Sequence, residues 1–180
     1  MDLVNFADFF ACAAHAAVKQ TRKYTGEPYI NHPREVREIL LKFATGPVTL
    51  EQEAAALLHD VVEDTGVDLE LIVTMFGNDV AVLVEGLTDV SKPEDGNRKL
   101  RKQKDLDHTA AAPVAAKSIK LADLISNSHS IVEHDPDFAR VYLHEKTRIL
   151  DVCSGADPGL LAEAYRVLNY SKEQLRPKSK

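Results

Sequence analysis

The 180-residue sequence has no tryptophan and only 6% aromatic residues. Alanine and leucine are abundant instead, a balance that favours helices over strands. Its two cysteines, Cys12 and Cys153, form no CxxC motif. Two such thiols in a chain of this size suit a reducing compartment, and both sit in apolar contexts that read as buried core. No excess of basic charge is present. The formal net charge is −6, which argues against broad, sequence-independent binding to nucleic acid but leaves room for a local basic cluster facing a small anion. No apolar run approaches the ~20 residues that would span a bilayer. The opening Met1-Asp2-Leu3 lacks a basic stretch ahead of an apolar one, so no secretory signal and no membrane association are expected, and the cytoplasm is the expected location. Repeats, low-complexity tracts and interdomain linkers are also lacking, which predicts one domain over 1–180 with its core at about 6–170.

What is present is apolar spacing of helical period almost throughout, and an all-α single-domain bundle is the consistent reading. A first helix is expected from about Phe6 to Lys23, ended by Thr25-Gly26-Glu27-Pro28. Tyr29 to His32 should be extended between two prolines, with Pro33 in the first turn of a second helix reaching Phe43. Thr49, with Gln52 three residues on, predicts a capping box for a third, very apolar helix that runs through His59 and Asp60 to about Thr65. Further helices are expected over Asp68–Phe76, Asn78–Val90, Arg98–Ala111 and Pro113–Asn127. Two more should start at Asp135-Pro136 and Asp157-Pro158, where an aspartate cap precedes a first-turn proline. The tail Arg176–Lys180 is expected to fray.

The chemistry concentrates in His59-Asp60-Val61-Val62-Glu63-Asp64. An imidazole and a carboxylate inside so apolar a helix are costly to bury unless something pairs with them, and a divalent metal does. Neighbours on a helix project about 100° apart, so both can meet one ion. Glu63 and Asp64 follow one turn beyond His59 and Asp60, placed to reach a water or the substrate. Acidic groups are disfavoured at a helix C-terminus, which weakens the alternative of a merely solvated helix end. His32, between Asn31 and Pro33, and Asp123, in an apolar helix with Asn127 one turn on, are two more candidates, of value because they occur together. Two imidazoles and two carboxylates suit Mn²⁺, Fe²⁺ or Zn²⁺ with open positions left for water and a phosphate oxygen.

The order His…His-Asp…Asp resembles the HD superfamily of metal phosphohydrolases. More particularly, Arg22-Lys23, Gly26-Glu27-Pro28-Tyr29-Ile30-Asn31-His32-Pro33, Leu57-Leu58-His59-Asp60-Val61-Val62-Glu63-Asp64-Thr65, Phe76-Gly77 with Val80 and Val84, and Lys120-Leu121-Ala122-Asp123 with Asn127 resemble the RelA/SpoT hydrolase domain. The likeness runs from about Phe6 to Tyr170 and is to the stand-alone small alarmone hydrolases, the metazoan SpoT homologue among them. It implies a helical bundle of the HD superfamily, His32, His59, Asp60 and Asp123 as ligands of one metal, usually Mn²⁺, and Glu63 and Asp64 as the residues that orient or deprotonate the attacking water. It implies nucleotide contacts from Arg22, Lys23 and Asn127. The implied reaction removes pyrophosphate from guanosine 3′-diphosphate 5′-di- or triphosphate, yielding GDP or GTP. The implied partner is a small nucleotide, with the oligomeric state left open.

The run Arg98-Lys99-Leu100-Arg101-Lys102-Gln103-Lys104 is either a solvated helix face or a pyrophosphate contact. Helical spacing restricts the second reading to Arg98, Arg101 and Lys102. Tyr142 is either a core residue or a substrate contact. His134-Asp135 repeats the dipeptide but sits in a polar loop, where Asp135 reads as a helix cap. His15, His108, His129 and His144 have no acidic residue at ligand spacing. Leu124 and His129 stand where many members of the resembled family carry basic residues, near the expected base and ribose contacts. They leave open an HD phosphohydrolase acting on another nucleotide, such as a 5′-nucleotide, a cyclic nucleotide or NADPH.

Overall fold

A computed structural model describes residues 2–175, apart from the side chain of His129. Arg176–Lys180 lie outside the described residues. Among those described there are ten α-helices, one 3-10 turn at Pro93–Asp95, and no strand beyond an isolated bridge between Thr21 and Pro28. The helices are α1 (Leu3–Ala17), α2 (Asn31–Phe43), α3 (Leu50–Leu58), α4 (Val61–Thr65), α5 (Leu69–Phe76), α6 (Asn78–Leu87), α7 (Arg98–Ala111), α8 (Val114–His134), α9 (Pro136–Val152) and α10 (Pro158–Gln174). None is long and apolar enough to cross a membrane.

The caps follow the sequence. Thr49 and Gln52 exchange the two bonds of a capping box at the start of α3. Asp135 and Asp157 each accept backbone N–H groups ahead of a first-turn proline. Asp157 does more than cap: its Oδ2 also accepts from Thr45 N and Thr45 Oγ1, both at 2.9 Å, so the loop after α2 is tied to the start of α10. Only glycine fits beside it, since a Cβ on Gly159 would sit 2.1 Å from the Phe43 carbonyl oxygen.

Several boundaries differ from expectation, and α6 ends at Leu87 rather than Val90. The first helix stops at Ala17, and Lys19 takes a left-handed φ of 56°, so the chain turns well before Lys23. His32 lies inside α2, because Ile30 is already helical (φ −54°, ψ −23°) and the turn closes one residue ahead of the proline. The expected stop near Asn127 is overrun by seven residues of α8, where Ser128 Oγ donates to the Leu124 carbonyl at 2.7 Å and spends its polarity within the helix.

α3 and α8 form the centre. α8 packs on α2, α6, α9 and α10, while α3 packs on α1, α2 and α6. Leu57, Leu58, Ile119, Leu121 and Leu124 are each at most 2% exposed. Every such side chain contributes roughly 1.5–3 kcal/mol on burial. This dry centre is where the polar residues of interest emerge.

Candidate metal centre

Three elements bring four polar side chains together. His32 comes from the first turn of α2 and Asp123 from the middle of α8. His59 and Asp60 come from a break between α3 and α4, which corrects the expectation of one continuous helix. Leu58 ends α3, Asp60 adopts φ −98°, ψ −4°, and α4 begins at Val61, closing on Gly66 in the left-handed region at φ 77°. The break releases the two side chains from fixed helical spacing, so both turn toward His32 and Asp123.

His32 Nε2 lies 3.1 Å from Asp123 Oδ1 and 3.7 Å from Asp60 Oδ2. His59 Nε2 lies 2.9 Å from Asp60 Oδ2 and 3.9 Å from Asp123 Oδ1. His32, His59 and Asp123 each offer a ligand atom within 4.8 Å of the others, and all three are buried. The far ring nitrogens determine which way the lone pairs point. His59 Nδ1 sits 2.9 Å from the Ala56 carbonyl, which can only accept, so Nδ1 carries the proton. Ser126 Oγ gives its proton to Glu35 Oε2 at 2.7 Å and so accepts from His32 Nδ1 at 3.0 Å. Nε2 is therefore the nitrogen of each ring that faces the carboxylates and is left to hold a cation, whether proton or metal. His59 Nε2 is buried without a hydrogen-bond partner, close to Asp60 but out of line for a bond. An orphaned imidazole nitrogen facing two carboxylates fits a divalent cation, with the far nitrogens held in the manner usual for metal-ligating histidines.

The charges agree. Burial depresses the His59 imidazole, yet Asp60 more than reverses this and lifts it to about 9. Burial pushes Asp60 and Asp123 up, but the facing imidazoles override it and hold both carboxyls below the usual range. The pocket thus attracts positive charge at the Nε2 positions. Replacing Ser126 with alanine removes the acceptor that orients His32. Mn²⁺ titration should then show about 10–100-fold weaker binding with the helical circular dichroism unchanged; unaltered affinity would mean Ser126 does not set the ring.

A second layer surrounds the four. Tyr29 Oη donates to Asp60 Oδ2 at 2.6 Å. Asn127 Nδ2 donates to Asp123 Oδ1 at 2.6 Å, and Arg22 Nη1 reaches Asn127 Oδ1 at 3.4 Å, so Arg22 and Asn127 both adjoin the centre. Glu63 and Asp64 diverge. Glu63 Oε2 accepts from Asp89 N at 3.0 Å, and burial together with the Asp89 charge raises its carboxyl to about 7. Asp64 turns the other way, accepting from Gln20 Nε2 at 2.8 Å, with burial again raising it. Gln20 Oε1 in turn meets His15 Nδ1 at 2.7 Å, a link that sequence spacing did not suggest.

Beside the centre lies a cavity of about 400 Å³, bounded by α7, α8, α9 and the loop at Asp89. Arg98, Lys102, Asn127 and Tyr142 line it, whereas Arg101 does not. Lys23 is apart from it, with its side chain 71% exposed and 3.7 Å from Asp135. Tyr142 is both core and cavity wall, 8% exposed with an unpartnered hydroxyl. Asp89 and Lys146, among other residues that line the cavity, carry no distinctive signal in the sequence. Lys120 sits three residues before Asp123 and is the one whose position within a quoted motif offered a hint. His108, which has no acidic residue at ligand spacing in the sequence, lies 3.7 Å from Glu85 Oε1 because the two helices that carry them pack together. His134-Asp135 is remote in role as expected, Asp135 capping α9 through Phe138 N.

Leu124 is corrected. It was expected near the nucleotide, but it points into the core at 1% exposure, since α8 turns Asp123 toward the centre and its neighbour toward the bundle. Leu124→Lys should bury an unpaired ammonium and destabilise the protein by about 3 kcal/mol, lowering Tm by roughly 6–12 °C. A melt within 2 °C of wild type, roughly the effect of 0.5–1 kcal/mol, would place the residue at the surface. The His129 side chain lies outside the described residues.

Comparison with known proteins bears on the family and the fold. A family model described as "HD domain" matches residues 9–150. The guanosine-3′,5′-bis(diphosphate) 3′-pyrophosphohydrolase MESH1 of Drosophila melanogaster is 39% identical over 135 residues, covering 72% of this chain and 73% of that protein. A probable guanosine-3′,5′-bis(diphosphate) 3′-pyrophosphohydrolase of Synechocystis is 33% identical over 132 residues, and the matched stretch spans 17% of its length. A solved structure reported as a metazoan ortholog of SpoT that hydrolyzes ppGpp superposes with a TM-score of 0.82 at 27% identity, covering 94% of this chain and 96% of that one.

Proposed function

The chain belongs to the HD-domain family, and from that premise we propose that it is a metal-dependent phosphohydrolase that removes pyrophosphate from guanosine 3′-diphosphate 5′-di- or triphosphate, leaving GDP or GTP. The observation that carries this reading is the convergence of two imidazole lone pairs and two carboxylates beside a cation-lined cavity. The relatives named for this reaction support it. We read residues 1–180 as a single HD hydrolase domain acting on a small nucleotide rather than on nucleic acid, in the cytoplasm, where the free thiols of Cys12 and Cys153 are at home.

His32, His59, Asp60 and Asp123 would hold one divalent ion, and we assign Mn²⁺ on the mixed nitrogen and oxygen donors, with Fe²⁺ and Zn²⁺ as the other ions that such a set accepts. When bound, the ion supplies Lewis-acid polarisation of a phosphoryl oxygen and acidifies water. Glu63 takes the proton from the water that attacks the 3′-phosphorus; the P–O3′ bond breaks and that proton passes to the departing 3′-oxygen, which restores the carboxylate. Its pKa of about 7 matches that task. Asp64, held by Gln20, orients the water. Arg22 and Asn127 contact the nucleotide where it meets Asp123. Arg98, Lys102 and Tyr142 line the path of the phosphates, while Arg101 and the exposed Lys23 contribute charge from outside it.

The burial of Leu124 removes one reason for preferring another nucleotide. The test is turnover by the purified protein, across a divalent-metal series, of the guanosine tetraphosphate, a 5′-nucleotide, a cyclic nucleotide and NADPH. Fastest turnover of the tetraphosphate with Mn²⁺, yielding GDP and pyrophosphate, supports the assignment. Faster cleavage of another member of the panel, or no cleavage with any metal, overturns it.

A further inference from the structure

Lys146 lies on α9, one turn after Tyr142, and lines the cavity beside the metal centre. The other cations of that cavity are already engaged. Arg98 is held by both Glu145 oxygens at 2.8 Å. Lys102 bonds Asp89 at 2.8 Å and Asp105 at 3.1 Å. Lys120 donates to the Leu87 carbonyl at 3.1 Å and lies 3.7 Å from Asp89. Arg148 donates to Gln103 Oε1. Among the described residues, no carboxylate lies within 4.0 Å of the Lys146 ammonium, whose neighbour is the Tyr142 ring, 5.1 Å from Nζ to centroid. Lys146 is half-buried and has no counter-ion, and burial holds its amine below its usual value.

We propose that Lys146 is the seat of the terminal phosphate of the 3′-pyrophosphate, and so sets the requirement for two phosphates rather than one at that position. The proposal rests on the hydrolase reading above. A substrate with its 3′-phosphorus at the centre carries a second phosphate one P–O–P link away. Of the cations along the cavity, Lys146 is the one with no bond to break before receiving it. Its ammonium is free to receive a ligand, whereas Arg98 and Lys102 are held by carboxylates. Tyr142, whose ring carries the ammonium and whose hydroxyl is unpartnered, holds it in place.

The experiment is isothermal titration of the Mn²⁺-loaded protein, its metal content verified, with inorganic pyrophosphate and separately with orthophosphate. Wild type should prefer pyrophosphate. Lys146→Met should weaken pyrophosphate by about 10-fold or more, the size of a lost charge-assisted contact, while orthophosphate stays within about twofold. Lys146→Arg should recover most of the pyrophosphate affinity. In turnover, Lys146→Met should raise KM for the tetraphosphate by about 10-fold and lose the preference over guanosine 3′-monophosphate 5′-diphosphate. Unchanged pyrophosphate affinity, or equal loss of both anions, overturns the proposal. Should wild type release no pyrophosphate from the tetraphosphate, the hydrolase reading fails on its own, and the two titrations still decide whether Lys146 holds a second phosphate.

Discussion

Asp60→Ala will bind Mn²⁺ far more weakly than wild type and release pyrophosphate about 10³-fold more slowly or worse, because several kcal/mol of charge stabilisation in the transition state depend on the ion. Asp60 Oδ2 is the atom nearest His59 Nε2, at 2.9 Å, and it also faces His32 Nε2 at 3.7 Å. Removing it leaves two lone pairs and one carboxylate to hold the charge. The side chain is not part of the hydrophobic core and the residue has ordinary right-handed dihedrals, so alanine leaves the turn between α3 and α4 in place. Metal content by atomic absorption, helicity by circular dichroism and pyrophosphate release by coupled assay separate loss of ion from loss of fold. Near-normal turnover with a bound ion would show that Asp60 is not a ligand.

Glu63→Gln is the second large effect, with an opposite signature. The amide keeps the shape and still accepts from Asp89 N, the bond seen at 3.0 Å. Metal affinity should therefore hold, while kcat falls by about 10²–10⁴-fold, the range for a lost general base. The pH dependence gives the sign. Burial first, then the Asp89 charge, raises Glu63 to about 7, so below that pH it carries the proton and cannot take one from water, and above it the carboxylate is available. Wild-type kcat should rise with pH along a limb centred near 7, and the residual activity of Glu63→Gln should lack that limb. An unchanged limb in the variant would assign the titration to another group.

The helical architecture was legible because its punctuation is local. Thr49 with Gln52, Asp135-Pro136 and Asp157-Pro158 state their caps in adjacent residues, and the structure forms each of them. The break at His59–Asp60 was not legible, because Ala54 to Val62 continue the apolar pattern across it without a glycine or proline. What accompanies the break is a local bond from the His59 ring back to the Ala56 carbonyl and the long-range contacts of Asp60 with Tyr29 and His32. The end of α8 was missed for the converse reason. The polar run Ser126-Asn127-Ser128 marks the expected end, yet these side chains find partners at Glu35, Asp123 and the Leu124 carbonyl and the helix runs on.

For the site, what could be read was residue type in an incongruous setting. His59, Asp60 and Asp123 stand out because their neighbours are apolar, and the structure brings them to one place with His32. What could not be read was direction. Leu124 adjoins Asp123 in sequence but faces the core. Glu63 and Asp64 adjoin each other but serve opposite sides of the centre, Asp89 on one and Gln20 on the other. Lys146 was hidden most completely, since a lysine on a helix with Glu145 beside it reads as a solvated charge. Only the packing of α9 against α7 and α8 shows that Glu145 is taken by Arg98 and that Lys146 is left facing the cavity.

The central claim is that His32, His59, Asp60 and Asp123 hold one divalent ion. Anomalous diffraction at the manganese edge from crystals grown with Mn²⁺ tests it most directly. One peak within about 2.0–2.3 Å of His32 Nε2, His59 Nε2 and a carboxylate oxygen from each of Asp60 and Asp123 is the predicted result. A peak elsewhere, or one that leaves Asp60 or Asp123 uncoordinated, would contradict it.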